Sequence, residues 1–284
     1  MITFDKFNNL SIKKASELLF NCCGSSRWVS FVMERFPFSN HSGMLQSMEK
    51  AWYDKCTYTD WQEAFLHHPK IGDLETLTKK FSTSLAGQEQ KGVDNSSMDV
   101  LKKLAKGNST YEDKFGFIFI VFATGKSALE MLNLLKSRLD NSLEDELRIA
   151  MGEQYKITQN RLKQYIDGFN FEQSQVTTHV LNTAEGTPGE GISIVMKSLN
   201  NEKWVCVSQG ITNADGRISE LLPPNRKLPD GIYKMIIDTQ SYFKKKKLES
   251  FYPSVEIQFY IINDSHYHIP LLISPFGYTT YRGS

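Results

Sequence analysis

Three histidines in the C-terminal half have the types and spacing to do chemistry. His266 and His268 are two residues apart, so on a β-strand they would share a face, and His179 lies upstream. Three imidazoles with this pairing could hold zinc. Alternatively, imidazoles with Arg217, from the turn 213–217, could bind and polarise a planar, amide-like substrate. Strand histidines that face solvent are the third interpretation, and the residue types alone leave all three open.

The N-terminal half carries a second candidate set. His68 falls on the same helical face as the apolar Trp61 and Phe65, at a predicted helix end. A partly desolvated imidazole with a pKa near neutrality suits proton transfer, although a histidine in this position can equally be a core residue. Glu89 and Gln90 add a carboxylate and an amide that could accompany it or could lie on a solvated helix face.

Two further segments have patterns that could indicate a site. Gly125 and Lys126 follow an apolar run, but a phosphate-binding loop would need glycine at position 120, which is isoleucine, so we predict a helix start there instead. The final residues 281–284, Tyr-Arg-Gly-Ser, follow a strand-like segment without a polar tail. We expect this end to be docked rather than frayed, and therefore able to contribute to a site.

The elements that must position these residues change at mid-chain. Up to about residue 167 the pattern is helical, with predicted capping boxes at 59–62 and 127–130, a helix end at Pro69 and a long helix from 142 to 166. From residue 176 the period becomes two, with Gly and Pro clusters between short runs, which predicts an all-β sandwich. The Lys244–Lys247 run is interpreted as a solvated turn.

These patterns predict an all-α domain at 1–167, a linker at 168–175 and a β-sandwich at 176–284, a division that 284 residues can accommodate. A formal net charge of +1 argues against nucleic acid or an acidic membrane as partner. Four cysteines without CxxC spacing favour a reducing compartment. The apolar run 117–123 is too short to span a bilayer, and the start lacks a signal-peptide pattern, so we expect a soluble, cytoplasmic protein.

The β half resembles the transthyretin-like 5-hydroxyisourate hydrolases over 176–284. The residues that carry the resemblance are Thr178-His179-Val180-Leu181, Asp215-Gly216-Arg217, the segment 267–272 (Tyr-His-Ile-Pro-Leu-Leu) and the terminal Tyr-Arg-Gly-Ser, which distinguishes these hydrolases from the hormone carrier transthyretin.

The helical half resembles the decarboxylases of 2-oxo-4-hydroxy-4-carboxy-5-ureidoimidazoline (OHCU). Matching segments are His68–Asp73, Glu89-Gln90, 115–119 (Phe-Gly-Phe-Ile-Phe), 138–141 (Arg-Leu-Asp-Asn) and Arg161-Leu162. The two families catalyse consecutive steps of urate breakdown, and their fusion in one chain is similar to the bifunctional allantoin synthases.

The resemblance implies the residues of both sites. For ring hydrolysis these are His179, Arg217, His268 and Ser284, which would orient and activate a water, with Tyr281 lining the pocket. For decarboxylation the histidine before the proline is implied, which selects His68 over His67. Glu89 would take part in catalysis with His68. The substrate would be bound by Pro69, Glu89, Gln90, Arg161 and the backbone of Ile118, Phe119, Ile120, Val121 and Phe122.

The resemblance further implies a cofactor-free, metal-free enzyme that converts 5-hydroxyisourate through OHCU to (S)-allantoin, acting on small molecules and assembled as a homotetramer through the β domain. Asn182 departs from the family's usual aspartate, which would remove a charge near His179 and leave the orientation of its ring open. The alternatives are a transthyretin-like binding protein, a zinc-dependent hydrolase, or a single-activity enzyme in which one half is only a scaffold.

Overall fold

The computed structural model describes residues 1–68, 95–171, 174–218 and 220–283, with side chains from residue 98 onward in the second range. The described chain forms two compact units. One contains residues 1–146 and 153–170, and the other contains residues 147–152 and 171–284.

The first unit is helical. Its amphipathic helices bury Trp28, Trp52 and Phe65 completely or almost completely. The described helices are α1 (Phe4–Asn8), α2 (Ile12–Cys23), α3 (Ser26–Met33), α4 (His41–Lys50) with a π-helical turn at Ala51–Lys55, α5 (Tyr58–Leu66), α6 (Asn95–Phe115), α7 (Ala128–Arg138) and α8 (Leu143–Tyr165).

Helix starts follow side-chain capping, with one correction to the sequence prediction. The box at Ser127 and Glu130 is confirmed, since each side chain bonds the other's backbone N–H. The box expected at 59–62 is wrong, because α5 begins two residues earlier. Thr57 is its N-cap, and Asp60 accepts from the Thr57 backbone N–H at 2.8 Å.

The long helix predicted at 142–166 is confirmed as α8, capped by Ser142, whose Oγ accepts from the Asp145 N–H at 3.1 Å. Its end is tied to the chain start: the Ile2 N–H donates to the Tyr165 carbonyl and the Asp167 N–H donates to the Ile2 carbonyl, both at 2.8 Å. The helix predicted to end at Pro69 is α5, which ends at Leu66, so His67 and His68 lie just beyond it.

The second unit is the predicted β-sandwich. One sheet has the order β2-β1-β7-β8 and the other β4-β3-β5-β6. The strands are β1 (Val176–Asn182), β2 (Thr187–Pro188), β3 (Ser193–Asn200), β4 (Lys203–Ile211), β5 (Gly231–Ile237), β6 (Val255–Ile261), β7 (Tyr267–Ser274) and β8 (Gly277–Thr280).

Alternation of buried and half-buried residues places one face of each sheet in a shared core. Val180, Met196, Met235 and Leu271 are fully buried there. The pair β1–β7 is parallel and the remaining pairs are antiparallel. The parallel register decides which polar residues meet on the outer face of the first sheet.

The lysine run is not a turn by itself. Lys244 and Lys245 end a short helix, α9 (Thr239–Lys245), and Lys246 pairs with Glu185 at 2.7 Å, although all four lysines are exposed as predicted. Cations at a helix C-terminus complement the helix dipole. Among the described helices, none combines the length and apolar character needed to cross a membrane.

Candidate active sites

The helical unit contains a cavity of about 370 Å³ beside His68. Polar groups reach it from α6 and α8, and the segment 118–124, which is neither helix nor strand, forms one wall. The described lining residues are His68, Asn108, Ser109, Glu112, the segment 118–124, Met131, Ile157, Asn160, Arg161 and Gln164. Two predicted site residues from distant parts of the chain, His68 and Arg161, therefore line one pocket.

Both ring nitrogens of His68 are held by α8. Nε2 lies 2.6 Å from Gln154 Oε1, and Nδ1 lies 3.4 Å from Arg161 Nη2. Arginine only donates, so Nδ1 carries the lone pair. Gln154 donates its amide Nε2 to the Cys23 carbonyl at 3.1 Å, which turns Oε1 toward His68 and makes the ring nitrogen there an N–H donor. Both contacts select the same neutral tautomer.

Helical spacing explains why α8 supplies both partners. Gln154 and Arg161 are seven residues apart, two turns along one helix face, and Ile157 lies between them on the cavity wall. Arg161 Nη1 also donates to the Cys22 carbonyl at 3.3 Å. Cys22 and Cys23 end α2, where carbonyls lack intrahelical partners and carry the negative end of the helix dipole.

The wall segment 118–122 is fixed from behind by buried charges. The Ile120 carbonyl accepts from Arg138 Nη1 at 2.8 Å, and the Phe122 N–H donates to Glu153 Oε2 at 2.7 Å. Neither group can bind a substrate without breaking these bonds. The backbone groups of Phe119 and Val121 make no hydrogen bond to another described residue.

A buried charge network surrounds these contacts. Arg138 is 2% exposed and pairs with Glu146, which is fully buried and also accepts from Tyr111 and from Asn141 Nδ2, the latter at 2.7 Å. Burial raises the pKa of the Tyr111 hydroxyl, outweighing the opposing charge of Arg138. For Glu153, burial alone would raise the pKa, but Lys156, Arg138 and the hydrogen bonds outweigh it, so the carboxylate stays ionised.

Other residues predicted for this pocket have different outcomes. Pro69, Glu89 and Gln90 lie outside the described residues. Ile118 and Phe119 line the cavity, as do Ile120, Val121 and Phe122. The sequence prediction missed Gln154, although its spacing of two helical turns from Arg161 was readable. Burial raises the pKa of the Cys22 thiol to about 12, so this sulfur is a packing group beside the site and not a nucleophile.

The second cluster lies on the outer face of the first sheet of the β unit. Parallel pairing of β1 and β7 sets Thr177 opposite His268 and His179 opposite Pro270. His179 is two residues from Thr177, so Thr177, His179 and His268 share this face. Thr177 Oγ1 lies 2.9 Å from His268 Nδ1.

Arg217 reaches the same face through a tight turn. Its backbone pairs with His179 in an isolated bridge, and the preceding Gly216 accepts from the Val180 N–H at 2.8 Å. Gly216 has φ +70°, and a Cβ there would lie 2.3 Å from the Val180 carbonyl oxygen. Only glycine brings this turn close enough to set Arg217 beside His179.

The chain end runs along His268. The Gly283 N–H donates to the His268 carbonyl at 2.9 Å, and a Cβ on Gly283 would lie 2.6 Å from Cδ2 of the His268 ring. Tyr281 lines a cavity of about 370 Å³ together with His268 and Arg282. Ser284 lies outside the described residues. The backbone of Gly283 is thus fixed to β7, whereas the side chains of Tyr281 and Arg282 are exposed.

The imidazoles of this cluster favour their neutral forms. Burial lowers the pKa of His179, with the positive charge of Arg217 acting in the same direction. Burial also lowers the pKa of His268, followed by the charges of Arg217, His266 and His179. Neutral imidazoles at neutral pH suit a base that removes a proton from water.

Asn182 does not have the effect expected from the sequence. Its side chain is fully buried on the opposite face of β1 from His179, where Nδ2 donates to the Tyr242 hydroxyl at 3.1 Å and Oδ1 accepts from the Ala184 N–H at 3.1 Å. The expected influence of residue 182 on the orientation of the His179 ring is therefore wrong, because residues three apart on a strand point to opposite faces.

The zinc interpretation of the histidines finds little geometric support. Thr177 lies between His266 and His268, whose rings stack with centroids 6.4 Å apart. Within the described ranges, no three His, Cys, Asp or Glu side chains converge as a metal site would require.

Comparisons with known proteins assign a family to each part of the chain. A family model described as OHCU decarboxylase matches residues 8–163, and one described as HIUase/Transthyretin family matches residues 176–283. A 5-hydroxyisourate hydrolase of Mus musculus is 45% identical over 40% of this chain and 98% of its own length. The chain belongs to the OHCU decarboxylase family and, through its C-terminal part, to the HIUase/transthyretin family.

One relative is matched over nearly the whole length of both chains. The uric acid degradation bifunctional protein TTL of Arabidopsis thaliana is 29% identical over 93% of this chain and 96% of that protein. A solved structure described as (S)-allantoin synthase covers all of both chains at 25% identity, with a TM-score of 0.47. The two family matches place a decarboxylase-family part before a transthyretin-like part, in the order that the sequence predicted.

Proposed function

We propose that the chain is a bifunctional enzyme of urate degradation, in which the β unit hydrolyses 5-hydroxyisourate to OHCU and the helical unit decarboxylates OHCU to (S)-allantoin. Residues 1–167 and 176–284 are the two catalytic domains, joined by 168–175. The observation that carries the proposal is that each family's characteristic histidines lie in a cluster with a guanidinium: His68 with Arg161, and His179 and His268 with Arg217.

Ring opening uses the neutral imidazoles of the β unit. His268 takes a proton from water, and the resulting hydroxide adds to the cyclic amide carbonyl. Arg217 stabilises the negative charge that develops on that oxygen. The C–N bond then breaks, and the proton passes to the departing nitrogen. His179 and Tyr281 hold the ring, and Ser284 completes the site from the chain end.

Decarboxylation uses the lone pair of His68. Arg161 binds the ureido and ring groups of OHCU, which sets the hydroxyl next to the carboxylate beside Nδ1. As the C–C bond breaks and carbon dioxide leaves, the bonding electrons enter the ring, where a ring nitrogen takes a proton from water. Nδ1 then accepts the hydroxyl proton and returns it to the neighbouring carbon from one face, which leaves a carbonyl in place of the hydroxyl. Pro69, Glu89 and Gln90 contribute to substrate binding, together with the wall 118–122 through the backbone groups of Phe119 and Val121. The asymmetric pocket makes the product one-handed.

Both substrates are small molecules, and the steps need no group beyond these side chains and water. The assembly is a homotetramer through the β unit, as in the family that the sequence resembles, and the compartment is the cytoplasm. A single chain keeps the second site close to the first, which raises the local concentration of an unstable intermediate.

The test is to add the full chain to freshly generated 5-hydroxyisourate and to follow ultraviolet absorbance and circular dichroism together. We expect prompt loss of the substrate absorbance, followed by a dichroic signal of one sign. Slow decay without a dichroic signal, at the rate of the buffer alone, would refute the proposal. Unchanged rates after treatment with a chelator would separate it from a zinc-dependent hydrolase.

A further inference from the structure

Thr177 joins two histidines, and only one of them belongs to the proposed hydrolase site. Its Oγ1 lies 2.9 Å from Nδ1 of His268 and 2.9 Å from Nε2 of His266. His266 is exposed, whereas His268 is half-buried. The hydroxyl thus connects the ring at the site with a ring in solvent.

The direction of this hydrogen-bond chain decides whether His268 can act as a base. A hydroxyl has one proton and donates to only one ring. If Thr177 donated to His268 Nδ1, a neutral His268 would carry its proton on Nε2 and could not accept another there. If Thr177 donates to His266, Nδ1 of His268 is the N–H donor and Nε2 keeps its lone pair.

Two observations favour the second direction. The first is that Nε2 of His268 has no hydrogen-bond partner among the described residues, whereas Nδ1 faces the Thr177 hydroxyl. His266, being exposed, can place its own proton on the nitrogen that faces water.

We propose that Thr177 and His266 are positioning residues that hold His268 in the tautomer with an unprotonated Nε2. The inference rests on the proposed ring-opening function of the β unit. In this chain, His268 Nδ1–H donates to Thr177 Oγ1, whose proton is donated to His266 Nε2. When Nε2 takes a proton from water, the imidazolium keeps its Nδ1–H bond to Thr177, so the ring does not turn during the step.

The test compares paired substitutions in the full chain. Thr177→Val removes the hydroxyl at constant shape and His266→Leu removes the acceptor, so we expect each to lower kcat for ring opening by about tenfold or more at little change in KM. Thr177→Ser and His266→Gln restore a hydroxyl and an acceptor oxygen and should stay within about threefold of the unmodified chain. Decarboxylation by the other unit is the internal control.

Two outcomes would overturn the inference. In the first, Thr177→Val and His266→Leu open the ring at the rate of the unmodified chain. In the second, Thr177→Ser loses as much ring-opening activity as Thr177→Val, and His266→Gln loses as much as His266→Leu. An unmodified chain that does not open the ring would instead refute the proposed function, so the two failures are distinguishable.

Discussion

The two units position their histidine rings through different elements. In the helical unit one helix, α8, supplies both Gln154 and Arg161, and these bond the two ring nitrogens of His68. In the β unit the Nδ1 contact of His268 comes from a strand 91 residues away, through the parallel register of β1 and β7. The contacts of both rings are long-range, 86 and 93 residues for His68 and 91 for His268. The difference is that one helix face presents both partners of His68, whereas the register of two strands presents the partner of His268.

The surroundings differ as well. The helical site rests on buried ion pairs, with Arg138 and Glu146 almost or fully buried behind the substrate wall. In the described part of the β unit, the ion pairs Lys234–Glu256 and Lys246–Glu185 are partly exposed. The β site relies instead on glycines that allow close backbone approach. One site is therefore fixed by buried charge and the other by close backbone approach, and substitutions can test each of them.

The largest expected effect is on the stability of the helical unit. Arg138→Met leaves Glu146 buried without its ion-pair partner, which should lower the free energy of unfolding by about 3–5 kcal/mol. Urea denaturation followed by tryptophan fluorescence reports this unit, because three of the four tryptophans, at 28, 52 and 61, belong to it. Lys246→Met in the β unit is the control and should leave the curve unchanged. If Arg138→Met lowered the free energy of unfolding as little as Lys246→Met, buried charge would not distinguish the helical unit from the β unit.

The next effect concerns the tautomer of His68. Gln154→Leu keeps the side-chain size but removes the acceptor for Nε2–H, so we expect decarboxylation to fall by about tenfold, mainly in kcat. Ring opening, measured on the same preparation, should not change. A decarboxylation rate equal to that of the unmodified chain would show that Arg161 alone orients the ring.

In the β site, shape should matter more than charge. Gly283→Ala places a methyl group 2.6 Å from Cδ2 of His268, so the ring or the chain end must move, and ring opening should fall by up to about tenfold. Gly277→Ala is the matched control, since its Cβ would meet only Ser274 Oγ at an ordinary 3.5 Å. Equal rates in the two variants would remove shape as the explanation.

The smallest effect is on pH dependence. Because the pKa values of His179 and His268 lie below the 6.5 of an unperturbed imidazole, ring opening should persist below pH 6.5 before it declines. Arg217→Gln removes a positive charge that opposes protonation, so both pKa values should rise. Proton NMR titration of the imidazole C2–H signals measures this directly, with Arg282→Gln as the control. Unchanged pKa values in Arg217→Gln would contradict the electrostatic account.

The sequence predicted much of the fold because helical and strand periods are local properties. The Ser127 box and the helix α8 follow from residues a few positions apart. The same kind of rule failed at α5, where Thr59 and Gln62 fit the capping pattern. Thr57 and Asp60 make the actual bonds, and Gln62 donates to the Tyr58 hydroxyl at 2.7 Å.

The sites were less predictable, for two different reasons. Gln154 and the inward direction of Asn182 follow from helix and strand periods and were readable in principle. The contacts of Thr177 with His266 and His268 depend on the register of two strands that are far apart in the chain, which no local pattern encodes. The hydrogen bond from Arg138 to the Ile120 carbonyl likewise depends on tertiary packing.

The most direct test of the central claim is the optical purity of the product made by the full chain carrying His68→Ala. The account predicts that freshly generated 5-hydroxyisourate still disappears promptly, because the β site is intact, and that the allantoin formed afterwards gives no net circular dichroism. Prompt formation of one-handed allantoin by this variant would contradict the assignment of His68. Loss of the first step as well would contradict the division of the two reactions between the two units.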